Sequence, residues 1–255
     1  MEVVEGSNPQ VRRNMRRFYV ENMPSGKDLS LVGGEARHMT SVLRLREGDE
    51  VVIFDGTGIE CVAVIRQASG ASARLEITSR FQVSRELPLE VALGQGILKG
   101  KKMDFLIEKC AELGLRRFVP VALERAVPKL SGKEEDKESK WQRIAKEASK
   151  QCGRNLIMEV AQPCSLEDFL KTLSAYELAI IADPDEKRTL KEVLRDRSKP
   201  SSVVMAIGPE GGFSREELLN AVGSGMIPVR LGPAILRAET AALAMLAMVA
   251  YEYAL

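Results

Sequence analysis

The chain has almost no excess of charge. Its 37 lysines and arginines meet 36 aspartates and glutamates, a net charge of +1. That argues against a protein coated in positive charge, though a local basic face remains open, since nucleic-acid binding needs only a patch. Paired cysteines are missing too. Cys61, Cys110, Cys152 and Cys164 lie far apart, which excludes a disulfide frame or a zinc site and predicts reduced core thiols and no metal centre. Long apolar runs are absent: the longest, Ala241–Ala250, is about half of what a membrane span needs. The first residues are polar and acidic with no apolar stretch behind them, so no signal peptide is read and the expected compartment is the cytoplasm. There is a single histidine, His38, and there are no internal repeats or low-complexity tracts.

What is present is an ordinary globular composition, 45% hydrophobic and 29% charged over 255 residues. This is enough for one large domain or two moderate ones. Residues 1–15 show no periodicity and are expected to form a flexible arm. Arg12, Arg13, Arg16 and Arg17 precede Phe18-Tyr19-Val20, either a solvated lead into a strand or a phosphate-contacting patch. Residues 16–86 read mostly as strands. Val51–Phe54 ends in the turn signal Asp55-Gly56, Cys61–Ile65 returns, and Ala73–Thr78 alternates with period two. One helix is expected over Gly34–Leu43. The sum is a small β-barrel, bounded near Glu86-Leu87-Pro88.

From residue 89 to 255 strands and helices alternate. Strands are expected at Leu89–Leu93, Phe118–Val121, Ile157–Val160, Leu178–Ile181, Val203–Ile207 and Ile227–Leu231. Between them, Met103, Leu106, Ile107, Cys110 and Leu113 share one helical face, as do Trp141, Ile144, Ala145, Ala148 and Cys152. Ser165 with Asp168, and Ser214 with Glu217, mark capped helix starts. Lys133–Lys140 reads as an exposed helix start. Such alternation predicts an α/β fold with a mainly parallel sheet covered on both faces.

Two loops stand out. Gly208-Pro209-Glu210-Gly211-Gly212 follows one apolar strand, and Gly232-Pro233-Ala234-Ile235-Leu236-Arg237-Ala238-Glu239-Thr240 follows another. Loops at the carboxyl ends of buried strands are where open α/β sheets hold ligands. The first has no Lys-Ser/Thr after its glycines and no GxGxxG spacing, and Glu210 would repel phosphate. A polar, uncharged portion such as an adenosine suits it better. In the second, Glu239 or Thr240 could cap the following helix, with Arg237 paired to Glu239.

These strings resemble the bacterial ribosomal RNA methyltransferases that act on N3 of a uridine in 16S RNA, members of the knotted SPOUT class. The resemblance is carried by Ile207-Gly208-Pro209-Glu210-Gly211-Gly212 and Leu231-Gly232-Pro233-x-Ile235-Leu236-Arg237-x-Glu239-Thr240. Lys102-Met103-Asp104, Glu108-Lys109, Glu112-Leu113-Gly114 and Gln151-Cys152-Gly153-Arg154-Asn155 add to it. So do His38-x-x-x-Val42-Leu43-Arg44 and Phe54-Asp55-Gly56. The similarity runs from about Arg16 to Ala250.

The resemblance implies a C-terminal SPOUT trefoil-knot domain and an N-terminal PUA-like barrel that binds RNA. It implies S-adenosyl-L-methionine as cofactor, with Ile207, Gly208, Gly212, Leu231, Gly232, Leu236 and Thr240 around it, and a homodimer acting on the small ribosomal subunit. Arg237 would stabilise charge on the uracil oxygens. Glu239 would either accept the N3 proton or hold Arg237. Arg17, Arg44, Arg46, Lys102 and Arg154 are the candidate RNA contacts, with Lys99 and Lys101 extending the basic surface. His38, far in sequence from the cofactor loops, is expected to be structural or to contact RNA. Two other readings stay open: a related enzyme acting on another base or a ribose, and a ribosome-assembly factor without turnover.

Overall fold

In the computed structural model, residues 4–5, 15–126 and 134–254 are described. The chain divides into two compact units, Met1–Glu86 with Ser149–Ile157, and Leu87–Ala148 with Met158–Leu255.

The first unit is a curled six-stranded sheet. Its strands are β1 (Val4–Glu5), β2 (Arg17–Tyr19), β3 (Asp28–Val32), β4 (Glu50–Phe54), β5 (Ile59–Ser69) and β6 (Ser72–Gln82). β4, β5 and β6 form an antiparallel meander, β3 pairs antiparallel with β6, and β2 lies parallel to β4. Alternate residues point inward, as the period-two pattern requires. Ile53, Ile65, Leu75 and Ile77 meet Phe18 and Met39 in a fully buried core. Burial pushes the Cys61 thiol up to about 11. The expected helix over Gly34–Leu43 is a short turn, α1 (Gly34–Arg37), running into a π-helix at His38–Val42.

Two sequence expectations change here. Val4–Glu5 of the expected arm pairs with Phe81–Gln82 as a strand, and the rest of that arm, residues 1–3 and 6–14, lies outside the described residues. The segment Ser149–Ile157, expected in the second domain, packs with the first. Asn155 Nδ2 donates to the Val83 carbonyl oxygen at 2.9 Å, Arg85 Nη1 donates to the Gly153 carbonyl oxygen at 3.0 Å, and Thr57 bridges to Leu156.

The second unit holds a parallel sheet of β7 (Glu90–Gly96), β8 (Arg117–Ala122), β9 (Glu159–Val160), β10 (Cys164–Ser165), β11 (Leu178–Ala182), β12 (Ser202–Ile207) and β13 (Ile227–Val229). The order is β10-β8-β7-β12-β11-β13, with β9 also on β8. Helices are α2 (Lys102–Glu112), α3 (Glu134–Cys152), α4 (Leu166–Lys171), α5 (Leu190–Arg195), α6 (Arg215–Gly223) and α7 (Ala238–Ala254). The division between units falls within α3.

The central strands are apolar throughout because both of their faces are covered. Val91, Leu93, Val203 and Met205 pack on the face shared with Met103, Ile107, Met245 and Leu246. Ala92, Val204 and Ala206 pack on the other face with Phe169 and Ala221. The Ser214–Glu217 capping box is present, and Ser165 caps α4 through the Asp168 N–H. A third cap, the Thr189–Glu192 box before α5, passed unnoticed in the sequence.

Candidate active site

Register places the ends of four parallel strands, β7, β12, β11 and β13, side by side. Ile207 pairs with Gln95, Ile181 with Ala206, and Ala182 with Val229. Their carboxyl-end loops therefore open on the same edge of the sheet. A cavity of about 580 Å³ lies there. It is lined by Asp183–Asp185 after β11, Ile207–Phe213 after β12 and Ile235–Ala238 before and into α7, with Lys102, Arg125, Leu218 and Ala241. A smaller pocket shares Ala182–Pro184 and Ile235–Leu236 with it and adds Leu231, Gly232 and Ala234.

The Gly208–Gly212 loop is folded tightly on its own root. A Cβ on Gly208 would lie 2.9 Å from the Gly212 carbonyl carbon, and Gly212 has a φ of 69°, a conformation glycine adopts without strain. Gly212 N–H donates to the Pro209 carbonyl oxygen at 2.9 Å. Two side chains pin the loop from outside. Gln95, wholly buried on β7, donates from Nε2 to the Gly208 and Gly96 carbonyl oxygens at 3.2 and 2.9 Å. Arg125 Nη1 donates to the Gly211 and Phe213 carbonyl oxygens at 3.2 and 3.1 Å.

Charge is concentrated at the mouth. Lys102, the first residue of α2, donates from Nζ to Glu210 Oε1 at 2.9 Å and stands 3.7 Å from Glu239 Oε2. The Glu210 hydrogen bond raises the Lys102 pKa. Burial alone would raise that of Glu210, but the Lys102 bond and backbone N–H groups outweigh it and lower it. Glu239 Oε2 is buried and accepts no hydrogen bond among the described residues. Arg237 lines the cavity from an exposed position.

Of the residues named from sequence, Ile207, Gly208, Gly212, Leu236 and Arg237 line the larger cavity, and Leu231, Gly232 and Leu236 the smaller. Glu239 and the exposed Thr240 line neither. The expected Arg237–Glu239 pair gives way to Lys102–Glu239, because α7 begins at Ala238 and carries Glu239 and Thr240 inside its first turn, past the cap. Lys102, read as an RNA contact, faces the cavity.

Arg17 and Arg154 are corrected as well. The Arg17 side chain, 9% exposed, is 2.9 Å from Glu60, hydrogen-bonded to Asn155, and stacked over the Phe54 ring at 4.8 Å. Arg154, 3% exposed, pairs with Glu86. Both are buried structural cations, enclosed too fully to reach phosphate. Arg44 and Arg46 are exposed, and Arg44 carries a left-handed φ of 55°. His38 is half-buried, edge-on to Phe18 at 6.0 Å. Asp183, Asp185 and Arg125 were not read as site residues. The strand end before Asp183-Pro184 was the signal that pointed to the first two.

A parallel sheet with a ligand-sized cavity at its carboxyl edge, on a chain that also carries a curled β-unit, defines a cofactor-binding α/β protein with an appended module. The family of RNA methyltransferase domains matches residues 85–250, and an RNA methyltransferase PUA domain matches residues 32–78. The chain belongs to this RNA methyltransferase family. It is 34% identical to ribosomal RNA small subunit methyltransferase E of Synechocystis over 87% of this chain and 72% of that one. It is 29% identical to the protein of that name in Bacillus subtilis, over 93% and 97%. A methyltransferase of Legionella pneumophila, solved in complex with SAM, superposes with a TM-score of 0.87 at 34% identity, covering 93% of this chain and 98% of that one. Ribosomal RNA small subunit methyltransferase E of Neisseria gonorrhoeae, solved with S-adenosyl methionine, gives 0.86 at 31%, covering 94% and 98%. The mixed α/β unit with its parallel sheet and the curled PUA unit are those expected from the resemblance. Among the described residues no helix is long and apolar enough to cross a membrane.

Proposed function

We propose that this chain uses S-adenosyl-L-methionine to methylate N3 of a uridine in 16S RNA of the small ribosomal subunit, as a cytoplasmic homodimer. The observation that carries the reading is the meeting of the Gly208–Gly212 loop and Ile235–Ala238 at one cavity, with Leu231 and Gly232 in the smaller pocket beside it and Lys102 and Arg237 among the lining residues.

The cavity suits the cofactor. At about 580 Å³ it falls within the roughly 300–1,000 Å³ of small-ligand sites. Ile207, Leu218 and Leu236 offer apolar surface for an adenine. The Asp183 and Asp185 carboxylates suit ribose hydroxyls or an ammonium, and Lys102, Arg125 and Arg237 suit a carboxylate. Thr240, exposed, has no part in this reading.

When bound, S-adenosyl-L-methionine supplies a methyl group that its sulfonium makes electrophilic. The protein's own task is the uridine, whose N3 is a poor nucleophile while it holds a proton. Glu239, in the first turn of α7 and 3.7 Å from the Lys102 ammonium, accepts that proton. Arg237 places positive charge beside the uracil oxygens as the anion forms. On the first unit, the exposed Arg44 and Arg46 contact RNA phosphates, a salt-sensitive contribution. The dimer face comprises Phe105 on α2 with Met248 and Tyr251 on α7, all three exposed apolar side chains on helices that pack together.

The test is incubation with methyl-labelled cofactor and small subunits from cells lacking the modification, followed by mass mapping. Label on a uridine base, at N3, is expected. Label on a ribose or on another base would refute the N3 assignment, and no label at all would refute the enzyme.

A further inference from the structure

The loop after β8 reaches past the end of β7 to the loop after β12. β8 and β12 are not neighbours in the sheet, since β7 lies between them. Three hydrogen bonds span the gap. The Glu124 N–H donates to Glu217 Oε1 at 2.7 Å, and Arg125 Nη1 donates to the Gly211 and Phe213 carbonyl oxygens at 3.2 and 3.1 Å. Gly211 permits the approach, because a Cβ there would lie 3.0 Å from Arg125 Cβ. Arg125 also lines the cavity. Only Nη1 is engaged: Nε and Nη2 have no partner among the described residues.

The two other cations of the lining differ from it. The Lys102 ammonium is already compensated by Glu210 Oε1 at 2.9 Å and Glu239 Oε2 at 3.7 Å. Arg237 is exposed, and among the described residues no bond fixes its guanidinium. Arg125 combines an anchored guanidinium with an open pair of donors. Sheet order also polarises the cavity. Asp183 and Asp185 follow β11, three strands from β8, roughly 14 Å along the sheet. A ligand with one anionic end is therefore held one way round.

We infer that Arg125 is the receptor for the carboxylate of the cofactor's amino-acid end. Nη1 stays on the two loop carbonyl oxygens while Nε and Nη2, parallel donors on one edge of a planar group, pair with the two carboxylate oxygens. Because the loop already fixes the guanidinium, little side-chain freedom is lost on binding. The inference rests on the reading of S-adenosyl-L-methionine as cofactor and assigns one end of it to one residue.

The full-length protein, Arg125→Met, Arg125→Lys and Arg237→Met are titrated by calorimetry with S-adenosyl-L-methionine and with its decarboxylated analogue, which lacks only the carboxylate. The unsubstituted protein should bind the first about ten- to a hundredfold more tightly, as a charge-assisted pair provides. Arg125→Met should bind both alike. Arg125→Lys, with the charge but not the fork, should keep a preference of only a few-fold. Arg237→Met should keep the whole preference. Equal weakening of both ligands in Arg125→Met, or an unchanged ratio in Arg125→Lys, would make Arg125 a loop clamp alone and overturn the inference. A preference lost in Arg237→Met instead would move the carboxylate to Arg237 and overturn it too. An unsubstituted protein that binds both ligands equally would overturn the carboxylate receptor and leave the cofactor standing. One that binds neither would overturn the cofactor reading itself.

Discussion

Gly96 and Pro209 leave no space between them. A Cβ on Gly96, at the end of β7, would lie 2.5 Å from the Pro209 nitrogen and 2.6 Å from its Cδ. The root of the Gly208–Gly212 loop thus rests directly on the neighbouring strand's backbone. Gly96→Ala must push that loop outward, an overpacking cost of about 1–3 kcal/mol. A fall in Tm of several degrees and a loss of cofactor affinity of tenfold or more are expected by calorimetry. Wild-type affinity would mean the loop's position is irrelevant to binding.

Gln95→Leu keeps the volume of the buried side chain but removes the donor to the Gly208 and Gly96 carbonyl oxygens. Leaving buried acceptors unpaired costs about 1–3 kcal/mol. The expected result is a lower denaturant midpoint with a weakened cofactor complex, because the carbonyl that Gln95 holds belongs to the loop lining the cavity.

Arg237→Ala should lower kcat by about a hundredfold or more while the thermal melt is unchanged, since the side chain is exposed and packs into no core. Turnover at the wild-type rate would remove Arg237 from the mechanism.

Acid should loosen the first unit through Glu60. Its side chain is 1% exposed and receives Arg17 and Arg85 guanidinium bonds at 2.9 and 3.0 Å. Burial would raise its pKa, but the two arginines outweigh that and lower it from 4.5 to about 2. A depressed folded pKa gives stability that is complete above the unfolded value and is lost as pH falls through the folded one. Unfolding monitored between pH 5 and about 2 should show this loss. Glu60→Gln should lack that pH dependence and be less stable at neutral pH by about 3 kcal/mol, its arginines left buried without a full counter-charge.

The architecture was legible because strand and helix periods differ and because both glycine-broken loops follow apolar runs. The convergence of those loops follows from parallel pairing, which register alone makes visible. The arginines were misread for a definite reason: sequence counts a guanidinium as charge, whereas Arg17 and Arg154 are enclosed by partners 43 to 138 positions away along the chain. Lys102 was read as a surface cation, yet the start of α2 points it at Glu210. Asp183 and Asp185 looked like an ordinary turn. Nothing in the local pattern of Ser149–Ile157, whose first four residues finish an amphipathic helix, marks it as part of the first unit.

That last assignment decides where the gene can be cut. A truncation after Glu86 would deliver the barrel strands without Gly153, Arg154 and Asn155, stripping Val83 and Arg85 of hydrogen-bond partners and Glu86 of its guanidinium. A stand-alone RNA-recognition fragment therefore needs the nonapeptide 149–157 grafted back through a linker. An excised catalytic fragment must in turn close the gap between Ala148 and Met158.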